Sequence, residues 1–245
     1  MTREKMDNKT VKASLCKLIK HIPFKFPPTG WYFTPLKPPH AVTFDEKRRI
    51  CMFEYFERVT KGEILCFSAR NPGCSGAACY LGFKEPGEKA GTFLSQKEGF
   101  KKNAALGNAF YAEIQARPAR EDYLIFGQLE NIEEKADIEV VNLWADALSL
   151  TGLVTMANYD RPANNNVLIP FASGCQSVWT IPYKEKPSEL PKCVVGLTDP
   201  SVRGFFPADV LSFSLPVNRL IEICDNISGS FLKQASWKTL VSGIK

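Results

Sequence analysis

An α/β or mixed α+β fold, built on a mixed sheet with helices packed on it, is predicted by three features of the sequence. Short runs rich in β-branched and aromatic residues alternate with apolar stripes of helical period. Glycine and proline punctuate most of the junctions between them. EILCFSARNPGC at 63–74 also corresponds, with a two-residue gap, to NVLIPFASGC at 166–175, which suggests an internal duplication of an α/β unit. At 245 residues and 44% apolar content the chain can bury a large core.

The elements follow in chain order. Residues 4–21 place Met6, Val11, Leu15, Leu18 and Ile19 near the helical period and run to Ile22-Pro23. This reads as a helical N-terminal arm over 1–22, followed by a single α/β domain over 23–245. FPPTGWYFTPLKPPHAVTF holds five prolines and reads as a rigid irregular stretch feeding a first strand at HAVTF. Asp45 is the expected N-cap of a helix from Glu46 to Thr60, whose apolar positions are Ile50, Phe53, Tyr55, Phe56 and Val59. Lys61-Gly62 ends it, Glu63–Ser68 is a strand, and Gly76–Leu81 is a short, small-residue helix. The charged, glycine-punctuated stretch 84–107 suits a surface excursion lying over a pocket. Strands are expected at 123–129 and 138–145, then a helix at 147–158 and a strand in VLIPFA. After the proline-marked KEKPSELPK come strands in CVVGL and VLSFSLP, an amphipathic helix over 217–227 and a last helix in the tail. There Phe231, Leu232 and Trp237 are expected to pack on the body.

The net charge of +5 comes largely from lysines near the two ends, such as Lys5, Lys9, Lys12, Lys17, Lys20, Lys233, Lys238 and Lys245. Nucleic-acid binding calls for a basic face with aromatic or helical readers between the charges. These lysines read instead as solvated ends. No apolar run approaches the roughly 18 residues of a membrane span, and MTREKMDNKTVKASLCKLIKHI lacks the apolar core of a secretory signal. The expected location is the cytoplasm, with no membrane partner. In a reducing compartment the eight cysteines read as thiols, metal ligands or buried filler rather than disulfides. The sequons at Asn8 and Asn226 therefore carry little weight.

Chemistry concentrates where two apolar strands run into Gly-Cys turns. In the first, Gly73 and Gly76 flank Cys74 and Ser75, so the backbone can turn sharply and a bound group can come close. A helix beginning near Ser75 would favour an anion and lower the thiol pKa, making Cys74 the candidate catalytic group. A tight turn around a buried cysteine is the plainer alternative. The second turn supplies Gly174 and Cys175. Arg70 lies four residues before Cys74, and Arg203 closes GLTDPSVR, where Asp199 either pairs with it to fix a loop or leaves it to clamp an anion. Cys66, Cys74, Cys79 and Cys175 are the four sulfurs available to zinc or an iron–sulfur cluster, but no C-x-x-C is present and the spacing is poor. Of the two histidines, His21 ends the basic arm and His40 enters a strand near the cleft, and neither has a nucleophile at a recognised spacing. Arg117 and Arg120 read as loop charges on the excursion.

Taken in order, CFSARNPGCSGAACYLGF, FLS at 93–95, LSLTGLVTMANYDR, FASGCQSVWTIP, GLTDPSVR and SFLKQASW resemble the domain of unknown function 169 family, the uncharacterised ArCR proteins, over most of residues 35–240. The stretch KNAALGNAFYAEIQARPA departs from that pattern. The resemblance implies a bacterial or archaeal cytoplasmic protein, with the Gly-Cys turns and the Asp199–Arg203 segment as shared features, and it implies no reaction. The residues themselves favour a cleft lined by Arg70, Cys74, Ser75, Gly76, Cys175 and Arg203 that holds a small anionic ligand or an unspecified cofactor. The alternatives are a thiol- or metal-dependent redox or transfer enzyme, and an interaction module whose N-terminal arm docks a partner or a second copy.

Overall fold

A computed structural model describes residues 6–44, 49–113 and 117–243. The cap expected at Asp45 and the first residues of its helix lie outside the described residues. The strands are β1 (Phe26–Thr34), β2 (Ala41–Thr43), β3 (Ile64–Phe67), β4 (Tyr123–Gln128), β5 (Ile138–Ala145), β6 (Val167–Leu168), β7 (Cys193–Gly196) and β8 (Leu211–Pro216). The helices are α1 (Asn8–Ile19), α2 (Phe56–Thr60), α3 (Ser75–Tyr80), α4 (Ala90–Thr92), α5 (Ala104–Glu113), α6 (Ala147–Tyr159), α7 (Ile181–Glu185), α8 (Val217–Asp225) and α9 (Ala235–Ser242). Among the described residues no helix is long and apolar enough to cross a membrane.

All eight strands form one mixed sheet, in the order β2-β3-β4-β1-β5-β8-β7-β6. The β2–β3 and β6–β7 pairs are parallel, and every pair between them is antiparallel. Read outward from the central β1–β5 pair, the first four strands and the last four repeat one order, as if related by a twofold axis through the sheet. Strand order therefore matches β2 with β6 and β3 with β7, whereas the sequence correspondence aligns β3 with β6. Both aligned segments are apolar strands ending in a glycine turn, and that local pattern does not distinguish one strand of the unit from its neighbour.

FPPTGWYFT is the longest strand of the sheet rather than irregular chain. Pro27 and Pro28 fall in the register break between Phe26 and Thr29, where no ladder donor is required. The helix expected up to Thr60 is instead a 3-10 turn, Met52–Tyr55, running into the five-residue α2. In VLIPFA the ladder stops at Leu168, two residues before Pro170.

Side-chain alternation along the strands builds two cores. One face carries Tyr32, Cys66, Ile125, Val141, Leu143 and Phe213 under the layer of α1, α6, α8 and α9. The expected N-terminal arm is α1, and its stripe of Val11, Leu15 and Leu18 is buried in that layer. Arg219 on α8 is fully buried and forks onto Asp160 and Glu222, locking α8 to the end of α6. The opposite face carries Trp31, Phe67, Phe126 and Trp144, packed against Trp179 and the turns that follow β2, β3, β6 and β7. Asn142 joins the two levels: its Oδ1 accepts from Trp31 Nε1 at 2.7 Å, and its Nδ2 donates to the Val178 carbonyl at 2.8 Å and to Ser214 Oγ at 2.9 Å. Arg120 is more than a loop charge, because it reaches the fully buried Glu139 at 2.9 Å, opposite Lys186 at 2.7 Å.

Candidate functional site

The first Gly-Cys turn is shaped by its backbone. After β3, Ser68 and Asn71 exchange backbone hydrogen bonds and reverse the chain. Gly73 then takes a φ of +86°, and a side chain there would meet the Ile50 carbonyl at 3.2 Å. Cys74 caps α3, its Sγ accepting the Ala77 amide at 3.4 Å. Gly76 is small because the Tyr80 ring lies 3.1 Å from where a Cβ would sit.

The second turn follows β6. The Ser173 amide donates to Gln176 Oε1 at 2.9 Å, and the chain enters a π-helical turn over Gln176–Thr180. Gly174 is pressed against the Phe53 ring, leaving no room for a side chain. Both turns line one cavity of about 1000 Å³ on the aromatic face of the sheet.

Four residues on its wall share a local origin. Cys51 and Cys175 each stand at the start of the helical turn after an edge strand, β2 and β6, and Cys74 and Asp199 do the same after β3 and β7. The repeated strand order thus brings equivalent positions from both halves of the chain to one hollow. Phe44, Phe53, Tyr80 and Phe83 also line the cavity. Together with Tyr111 on α5, the charged excursion supplies Lys84, Lys89, Phe93, Glu98 and Phe100 to the lining. It is pinned by Phe171, which meets Phe100 at 5.5 Å and Phe110 at 5.6 Å, and by the close crossing of α4 and α5 at Gly91 and Gly107.

Of the residues singled out in the sequence, Arg70, Gly73, Cys74, Ser75, Gly76, Gly174, Cys175 and Asp199 line this cavity. Arg203 does not. It lies in a 3-10 turn, Pro200–Phe205, and with three residues per turn Asp199, Val202 and Phe205 share a face that lines the cavity, with Ser201 on one flank of it. Arg203 points a third of a turn away and donates to the Val210 carbonyl at 2.7 Å and the Pro207 carbonyl at 2.8 Å. Asp199 instead accepts from the Ser201 amide at 2.9 Å and hydroxyl at 2.8 Å. The four-sulfur set also fails: Cys66 alternates onto the opposite face of β3, with Leu65 and Phe67 facing the cavity side. Among the described residues no three His, Cys, Asp or Glu side chains converge to hold a metal ion. His40 is exposed and outside the cavity lining.

Sequence reasoning passed over Arg49, Cys51, Tyr80, Glu98 and Tyr111, all on the cavity wall. Arg49 donates to Ser75 Oγ at 2.6 Å, placing a second guanidinium beside the first turn. Burial pushes the Cys51 thiol up to about 11 and carries Cys175 well above the ordinary thiol range, with the other cavity thiols adding to both. Cys79 is raised for the same first reason, and its thiol donates to the Glu85 carbonyl at 3.5 Å. Glu98 is raised by burial and then by the Asp199 carboxylate. Tyr80 and Tyr111 stack at 5.9 Å with their hydroxyls 3.1 Å apart, and burial raises both. The cavity at neutral pH is therefore a ring-rich hollow in which the Cys51 and Cys175 thiols are neutral, with Arg49 and Arg70 on its wall.

No curated protein and no solved structure matches the chain. A family model, uncharacterised ArCR, matches residues 17–226, and the chain belongs to the domain of unknown function 169 family.

Proposed function

We propose that the protein binds a small anionic ligand or cofactor in the cavity between the two Gly-Cys turns. The reading is carried by one observation: Arg70 and Arg49 stand with Gly73, Cys74 and Ser75 at the same hollow that Gly174 and Cys175 line from the other half of the chain. Guanidinium forks bind carboxylates and phosphates with two parallel hydrogen bonds. Ser75, already accepting from Arg49, keeps its hydroxyl proton to donate. Cavities of this size and apolar character are the usual form of small-molecule sites. Cys74 is the thiol that meets the ligand if a reaction follows, because it stands half-buried beside Ser75 on the cavity wall, whereas Cys175 is buried.

Native mass spectrometry of the full chain, purified without dialysis, tests the proposal. An anionic small molecule is expected to co-purify and to be lost from the Arg49→Gln, Arg70→Gln double variant. A wild-type chain that retains no small molecule, and that neither inorganic phosphate nor citrate stabilises against unfolding, would overturn it. Cys74→Ala with unchanged thermal stability and unchanged ligand retention would remove the thiol from the site's chemistry.

A further inference from the structure

The lining of the cavity narrows the ligand further. Among the described residues Leu94 and Val202 are its only branched aliphatic side chains, set against eight aromatic rings. A site for an acyl chain would be walled by flexible aliphatic residues, whereas rings present flat faces that reward a flat partner. Most of the eight are already packed against other rings, but Phe83, Phe93 and Phe205 make no ring contact among the described residues. Phe93 is 51% exposed and Phe205 39% exposed, and both line the cavity. Large apolar rings left in water at a cavity mouth gain by being covered.

Charge lines the same cavity. Arg70 has no hydrogen-bond or ion-pair partner among the described residues, and Arg49 spends one nitrogen on Ser75. Two guanidinium groups and one hydroxyl offer donors in several directions, which suits a tetrahedral phosphate better than a flat carboxylate. The volume of about 1000 Å³ stands at the upper end of small-molecule pockets, room for a ring system with a sugar-sized spacer and a phosphate.

We propose that the ligand is a phosphorylated heteroaromatic molecule of mononucleotide size, its ring stacked at Phe93 and Phe205 and its phosphate held by Arg49 and Arg70. The proposal rests on the anion-binding reading above. The test is titration of the full chain with flavin mononucleotide and adenosine monophosphate, each beside its unphosphorylated counterpart, riboflavin or adenosine, and with palmitate and citrate. In at least one pair the phosphorylated member is expected to bind about ten- to a hundredfold more tightly. Arg70→Gln should collapse that ratio toward one, and Phe93→Leu with Phe205→Leu should weaken both members of the pair alike. Arg70, Phe93 and Phe205 are all exposed, so the variants should unfold as the wild type does. Binding of palmitate or citrate with neither mononucleotide bound would sink this inference and leave the anion site standing. Binding of none of the six probes would sink both.

Discussion

Gly174→Ala isolates the contact that joins the second Gly-Cys turn to the floor of the cavity. A Cβ at Gly174 would overlap the Phe53 ring, which is 2% exposed and held edge-on to Phe206 at 5.4 Å. Phe53 cannot swing into solvent, so either its rotamer or the turn must shift. Overpacking of this kind costs about 1–3 kcal/mol. For a chain of this size each kcal/mol lowers Tm by about 2–4 °C, so the expected loss is about 2–12 °C. Urea unfolding of the wild type, Gly174→Ala, Phe53→Leu and the double variant closes a mutant cycle. Phe53→Leu opens space where the new methyl needs it, so the double variant should be more stable than the two single losses added together, by about 1 kcal/mol or more. An unchanged Tm in Gly174→Ala, or strictly additive losses, would show that the turn does not lie against the first half of the chain.

Other outcomes follow from the same packing. Asn142→Leu leaves the Val178 carbonyl, Ser214 and the Trp31 indole nitrogen without their shared partner, so chemical unfolding should record a loss of about 3 kcal/mol or more. Asp160 is held below the ordinary carboxylate range, first by the hydrogen bond from Arg219. A depressed folded pKa contributes stability above the unfolded value near about 3.9 and loses it as pH falls through the lower folded one. The wild type should therefore weaken below about pH 4, and Asp160→Asn should show a shallower decline there when unfolding is followed against pH. Iodoacetamide should modify Cys16 and the half-buried Cys74 in the native chain while sparing Cys66, Cys193 and Cys224 until urea is added, as peptide mass spectrometry would report. A ligand in the cavity should protect Cys74 and leave Cys16 reactive.

Much of this protein is written locally. The periodicity of Val11, Leu15 and Leu18, the helix expected at 147–158 and the strand-to-turn grammar of both Gly-Cys segments need only neighbours in sequence, and they announced a mixed sheet with helices on it. The proline-rich first strand was hidden because its amides are excused from the ladder by a register break that belongs to β5 as much as to β1. Which sulfurs share a hollow was hidden for a similar reason. Cys66 and Cys74 are eight positions apart and end up on opposite sides of a sheet, while Cys51 and Cys175 come from opposite halves of the chain and meet. Arg203 was misplaced by a single residue's rotation in a 3-10 turn, a detail fixed by the 207–210 carbonyls it ties. Local chemistry selects strand, turn and cap; the pairing of β1 with β5 decides which turns face one another, because that pairing alone brings the two repeated halves to a common face.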